Sequence, residues 1–388
     1  MDSSKISPAF LPGRMDEVID QTIADKRLVG AVIKVAMDGK MVYSRAAGFA
    51  DREMNRPMQE DALFRLASVS KPIVSTAALV LIGQGRLRLG DRVDRWLPEF
   101  QPRLQSGELA ALTIRHLMTH TAGLTYRFFQ EENGPYQQAG ISDGMDHSGI
   151  TLEENLRRIA SVPLLYTPGT EWKYSIATDV LGAVIAKVTE TTLSEAVHSL
   201  VTKPIGMSDT DFMAVDPDRL ATAYTNDHPE PRPIRDSDKI AFLEGTAGFR
   251  LAPSRAFDST AYPSGGAGMV GSAGDFMQLL EALRKGGAPL LPKALVRELT
   301  TNQIGDLPMA YWPGRGFGLG ITLLRDPIAA NTPESPGTWR MGGTYGHSWF
   351  VDPEQRLSVV AFTNTALEGM SGQFTIDLCE AVYDSIKK

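Results

Sequence analysis

Phe64-Arg65-Leu66-Ala67-Ser68-Val69-Ser70-Lys71-Pro72 places a serine three residues ahead of a lysine at the head of a long apolar run. Downstream, Ile73, Ala77 and Leu81 form one apolar stripe, and Val74, Ala78 and Ile82 form a second beside it. That spacing predicts a helix that is buried rather than lying on the surface. Pro72 must fall in its first turn, where a missing N–H breaks no intrahelical bond. Ser68 is therefore expected at the helix N-terminus, where free backbone N–H groups favour developing negative charge. Residues three apart share a helix face, so Lys71 is expected beside it. A desolvated ammonium loses its proton more readily, and the resulting amine could act as general base toward the serine. Taken alone, the pair is a weak signal that more often marks a helix-starting serine with a solvated lysine one turn on.

The rest of the composition narrows the field. A chain of 388 residues can bury a large core, and its apolar and charged fractions, 43% and 22%, are ordinary for a soluble globular protein. A net charge of −7 gives no support for nucleic-acid or anionic-membrane partners. The start, Met1 to Pro8, shows no basic segment followed by an apolar one, so a cytoplasmic location is expected. Cys379 is the single cysteine, within a helical pattern of Phe374, Leu378 and Val382, and reads as a buried structural thiol. His116 and His120 have zinc-like spacing, but no Glu completes an H-E-x-x-H pattern and Thr121-Ala122-Gly123 ends the helix; neither a metal nor another cofactor is expected.

Along the chain, Arg14 to Leu28 reads as an amphipathic helix. Gly30–Ala36 and Met41–Ala47 read as a hairpin joined through Asp38-Gly39. Helical patterns follow at Asp91–Leu97, Leu112–His120, Leu152–Ala160 and Asp179–Lys187, and an exposed loop at His228–Pro233. Helices return at Ala273–Lys285 and Pro292–Thr300. Strands follow at Gly318–Leu324, Thr344–Asp352 and Leu357–Thr363, with a last helix from about Ser371 to Lys387. The expected architecture is mixed α/β (α+β). One antiparallel sheet, flanked by helices, is built from residues 1–90 and 265–388, with a mainly helical insertion over 91–264.

Two further segments carry candidate chemistry. In Trp172-Lys173-Tyr174-Ser175-Ile176, Tyr174 precedes a helix start; a phenol whose pKa is lowered by a nearby ammonium could relay protons, though a packing role fits as well. In Met341-Gly342-Gly343-Thr344-Tyr345-Gly346-His347-Ser348-Trp349, glycines entering a strand would let a substrate lie against the backbone. Gly346-His347-Ser348-Trp349-Phe350 brushes the nucleophile elbow, but its last position is not glycine and no helix follows, so Ser348 is rejected as a nucleophile.

In this order the three segments resemble the serine β-lactamase and penicillin-binding-protein superfamily, in its class C-like branch and most of all the family VIII carboxylesterases. Leu112-Thr113-Ile114-Arg115-His116-Leu117-Met118-Thr119-His120-Thr121-Ala122-Gly123-Leu124 is similar to that branch's I-R-H-L-L-T-H-T-S-G-L stretch. Pro263-Ser264-Gly265-Gly266-Ala267-Gly268-Met269 is similar to its glycine-rich segment. The resemblance implies a serine β-lactamase-like fold, Ser68 as nucleophile, Lys71 as its activating partner and Tyr174 as proton carrier. It also implies an oxyanion hole from the backbone N–H groups of Ser68 and Thr344. Met341, Gly342 and Gly343 fall where the superfamily has K-T-G or H-T-G on an edge strand, and where family VIII has W-G-G.

Two departures bear on substrate. Ile176 stands where Y-x-N has asparagine, and Met341 stands where a cationic or proton-donating residue helps hold a substrate carboxylate. Their loss favours neutral small-molecule esters with short acyl chains over β-lactams or peptides. Met341, Tyr126 and Trp349 are expected to line the substrate pocket. Acyl transfer from the same acyl-enzyme and a slow β-lactamase reaction are the alternatives. A non-catalytic relative is disfavoured because serine, lysine and tyrosine are all present. Oligomeric state is left open.

Overall fold

The computed structural model describes residues 11–386. Helix α1 (Leu11–Ala24) leads into β1 (Gly30–Met37) and β2 (Lys40–Asp51), followed by β3 (Arg56–Pro57), β4 (Leu63–Arg65) and helix α2 (Ser70–Gly83). The central segment carries α3 (Ile114–Met118), α4 (Pro135–Gln138), α5 (Leu152–Ser161), α6 (Ala177–Thr189) and α7 (Leu193–Val197), then the two-residue strands β5 (Lys239–Ile240) and β6 (Phe249–Arg250). After β7 (Val270–Ser272) come α8 (Ala273–Arg284), α9 (Lys293–Leu299), β8 (Arg315–Phe317), β9 (Thr322–Leu324), β10 (Trp339–Gly343), β11 (His347–Asp352) and β12 (Leu357–Thr363). Helices α10 (Glu368–Ser371) and α11 (Gln373–Ile386) close the described chain.

Both ends of the chain meet in one antiparallel sheet of order β3-β2-β1-β12-β11-β10-β9-β8. The β1–β2 hairpin turns at Asp38 and Gly39, both at positive φ, as a two-residue turn of matching twist requires. Side-chain alternation along β1 sorts the two faces. Ile33 and Val35 join Leu11, Met15, Ile19, Phe374 and Leu378 beneath α1 and α11, whereas Val32 and Ala36 join the large core that contains α2, α6 and α8. All seven residues of β12 are buried, as befits a central strand covered on both faces. Helix α2 is buried from Ser70 to Leu81, as its double apolar stripe requires. The larger core runs on without a break into Leu117, Ile159 and Val184 of the helical segment.

Three expected elements differ. Asp91–Leu97 forms only a short 3-10 turn at Val93–Arg95. The expected strand from Gly318 is a hairpin: Phe317 pairs with Thr322, and the loop between them docks on α2, with Gly320 at φ +98° against the Ser75 side chain. Thr344 to Gly346 make a turn, and that strand starts only at His347. No helix among the described residues is long and apolar enough to cross a membrane.

Candidate active site

The nucleophile segment is held before the helix begins. Strand β4 pairs with β7, and the next residue, Leu66, donates its N–H to Met269 O at 2.8 Å. Ala67 then takes φ +46°, a left-handed conformation that costs a non-glycine residue about 1–2 kcal/mol. Ser68 lies in a 3-10 turn, Ala67–Val69, immediately ahead of α2 rather than inside it. Lys71, in the first turn of α2, is fully buried and reaches back, Nζ donating to Ser68 Oγ at 3.1 Å and to Gly266 O at 2.7 Å. Burial pushes its ammonium down to about 7, against the pull of the Asp179 and Asp143 carboxylates.

The Gly266 peptide joins Lys71 to one of those carboxylates. Its N–H donates to Asp179 at 2.9 Å, and Ser264 Oγ donates to the same oxygen at 2.7 Å. A side chain at Gly266 would stand 2.9 Å from the Tyr126 hydroxyl and 3.6 Å from Lys71 Nζ. The glycine-rich segment thus lets backbone approach the lysine closely.

Tyr174 sits on the other side of the amine, its ring centroid 4.6 Å from Lys71 Nζ. His120 fixes the segment: Nδ1 accepts the Ser175 N–H at 3.2 Å, His120 O accepts the Lys173 N–H at 3.0 Å, and the imidazole packs on the Tyr174 ring at 4.8 Å. Burial raises the Tyr174 phenol above its ordinary value, and a hydrogen bond with Ser68 pulls the other way. This runs against the expectation of a phenol made acidic by an ammonium, because the phenol's own burial outweighs the hydrogen bond that lowers it. Ile176, at the asparagine position, is fully buried and heads α6.

Strand β10 forms the facing wall. Strand β9 pairs with it only through Trp339 and Arg340, so Met341 to Gly343 keep one edge unpaired beside the cleft. Ser68, Tyr174, Met341, Gly342 and Thr344 all line one cleft of about 270 Å³. Gly343 does not: it packs against the nucleophile turn, where an added Cβ would lie 2.4 Å from Leu66 O. Tyr126 and Trp349, expected to line the pocket, stand elsewhere. Tyr126 is buried behind Lys71, its ring centroid 5.1 Å from Nζ, and stacks on Phe128, which does reach the cleft. Trp349 is buried against Phe276 in the core, because both faces of β11 are covered.

Several lining residues escaped the sequence reading. Phe128, Phe129, Phe242 and Phe249 form an aromatic wall assembled from segments more than a hundred residues apart, with no local periodicity to mark it. Arg315 and Arg340 also line the cleft, so the loss of a cation at position 341 does not leave it without positive charge. Arg340 was readable beside Met341; Arg315 joins it only through the pairing of β8, β9 and β10. His116 caps α3 through Thr113, and no group of His, Cys, Asp or Glu that could hold a metal is present among the described residues.

Known proteins resemble the chain in sequence and fold. The beta-lactamase family model matches residues 15–378. Esterase EstB of Burkholderia gladioli is 50% identical over 97% of this chain and 96% of its own. The solved structure of EstCE1, a hydrolase with promiscuous acyltransferase activity, superposes with a TM-score of 0.95 at 46% identity, covering 98% of this chain and all of that one. Monacolin J acid methylbutanoyltransferase of Aspergillus terreus is 27% identical over 90% of this chain and 89% of its own. With the family model matching residues 15–378 and an esterase 50% identical over nearly its whole length, the chain belongs to the beta-lactamase family, in its family VIII carboxylesterase branch.

Proposed function

We propose that the protein hydrolyses small carboxylic esters through an acyl-enzyme on Ser68. The observation that carries the reading is the buried Lys71 amine, held down at about 7 and 3.1 Å from a serine hydroxyl that opens on an apolar cleft. Neutral Lys71 takes the Ser68 proton as Oγ attacks the ester carbonyl, and the N–H groups of Ser68 and Thr344 receive the oxyanion. As the C–O bond breaks, Tyr174 gives its proton to the leaving alkoxide and regains one from Lys71. Water then attacks the acyl group, its proton passing through Tyr174 to Lys71 while Ser68 departs, and Lys71 returns a proton to Ser68. A cleft of about 270 Å³ falls just below the ~300–1,000 Å³ of usual ligand pockets, which supports short acyl chains.

Acyl transfer is a second reading of the same intermediate. It is favoured by the apolar surround of Tyr174, where Phe129 and Trp312 line the cleft and suit an alcohol better than water, and by the transfer activities named for two relatives. β-Lactam turnover is expected to be slow, since Ile176 offers no side-chain amide and points into the core. We also assign the work to the cytoplasm, a location that cell fractionation would check. The test of function is turnover of p-nitrophenyl acetate and butyrate beside nitrocefin. Ester hydrolysis abolished in Ser68→Ala supports the reading, and equal turnover in that variant refutes it. Product analysis with an added alcohol separates hydrolysis from transfer.

A further inference from the structure

The cleft wall beyond β10 carries charge that ester hydrolysis does not use. Arg315 on β8 and Arg340 on β10 both lean on Glu334, at 3.3 Å and 3.2 Å, and Glu334 itself is wholly buried. Two guanidiniums against one carboxylate leave an excess positive charge on this wall. Arg315 is only 10% exposed; both arginines share Glu334 Oε2, and Arg315 Nη1 and Glu334 Oε1 are each buried with no hydrogen-bond partner. Burial and the neighbouring Arg340 charge both press against its ionised form. A buried guanidinium N–H left without an acceptor is costly, and one arginine would suffice to neutralise Glu334. Ser371 and Thr375 bring hydroxyls to the lining of the same cleft.

We infer that this wall is an anion subsite for a carboxylate that the substrate carries away from its scissile ester. The inference rests on the esterase reading and narrows it from small esters at large to half-esters of dicarboxylic acids or O-acylated hydroxy acids. A planar guanidinium matches a carboxylate with two parallel hydrogen bonds, and the partly dry cleft strengthens the attraction. A single negative charge balances the single excess positive one. Arg340 leaves β10 on the face opposite Met341, so the two arginines offer charge at a different place from position 341.

The experiment compares kcat/KM within two matched pairs, para-acetoxyphenylacetate against para-acetoxyphenylacetamide and monoethyl glutarate against ethyl glutaramate. Each pair differs in one remote charge, placed on the alcohol in the first and on the acyl group in the second. The wild type is expected to favour the charged member of at least one pair by about tenfold or more, chiefly through KM. Added salt and either Arg315→Met or Arg340→Met should bring that ratio toward one. Each variant leaves Glu334 one arginine, and the ratio is read within one protein, so altered expression or stability does not enter it. If a variant fails to fold, inhibition of wild-type p-nitrophenyl acetate hydrolysis by para-hydroxyphenylacetate against its amide decides, with the acid expected to bind more tightly. A wild-type ratio at or below one for both pairs overturns the subsite while p-nitrophenyl acetate turnover upholds the esterase. If that ester is not cleaved at all, the esterase reading falls first, and calorimetric binding of the same acid and amide still judges the subsite.

Discussion

A lysine amine beside a serine is useful only where water has been removed from it, and burial supplies that condition here. Lys71 is fully covered and held at about 7, so the pH dependence of kcat/KM should rise through a single limb near pH 7 and then level. Below that limb the amine is protonated and cannot accept from Ser68. Lys71→Arg keeps the charge but cannot lose a proton, so kcat should fall by about a hundredfold or more, with the limb abolished. Tyr174→Phe is expected to lower kcat by ~10²–10⁴ with little change in KM, since the ring packing on His120 survives and only the proton relay is lost. The segments carrying Ser68, Lys71 and Tyr174 stood out through their order and resemblance to a family rather than singly, and the fold brings the three side chains together. The protonation state of the phenol was not legible. It depends on burial by residues distant in the chain, which turned an expected acidic phenol into one that keeps its proton.

At the scale of elements, two close approaches set the site. One is the unpaired half of β10 against the 3-10 turn of Ser68, and the other is the glycine-rich segment against Lys71. Gly343→Ala would put a methyl 2.4 Å from Leu66 O, a backbone atom that cannot move aside cheaply. Overpacking of that kind costs about 1–3 kcal/mol. Because it pushes Thr344 away from Ser68, kcat should fall more steeply than the melting temperature, which parallel kinetics and thermal unfolding would show. Trp349 tests the opposite case. Buried beside Phe276, it is expected to cost ~3–5 kcal/mol on truncation to alanine, read by denaturant unfolding, with KM little altered in the folded fraction. The sequence placed Trp349 in the pocket because a strand buried on both faces has no alternation from which to tell its sides. The β1–β2 hairpin, with Asp-Gly at its turn and a solvated second strand, gave no such difficulty. Arg315 stayed hidden for a related reason: only the long-range order β10-β9-β8 brings it beside Arg340.

For the whole molecule, a sheet closed from both chain ends carries α1 and α11 on one face and the catalytic layer on the other. Two buried histidines tie the two candidate-site walls into it. His347 Nε2 bonds Arg65 O at 2.8 Å, linking β11 to the nucleophile strand, and His120 holds the Tyr174 segment. Burial lowers His347 from 6.5 to about 4 and His120 well below its usual value. Between those pH values the unfolded chain binds protons that the folded one refuses, so stability declines as pH falls from 6.5 toward 4. For His347 alone the loss reaches ~3 kcal/mol at the bottom of that window. Melting temperature against pH should show the decline, with a shallower slope in His347→Gln. Mixed α/β class and the mating of the chain ends were readable from the alternation of strand and helix patterns; the aromatic wall of the cleft was not, because Phe242 and Phe249 come from a hairpin of two-residue strands, too short to show a period. The claim on which the rest depends is that Ser68 carries the acyl group. Incubation with a p-nitrophenyl alkylphosphonate, followed by mass analysis of the intact chain and its peptides, tests it most directly. One adduct per chain on Ser68, formed in step with loss of ester turnover and faster above pH 7 than below it, is the predicted result. Loss of turnover with Ser68 unmodified, or an adduct that forms equally well in Ser68→Ala, would contradict it.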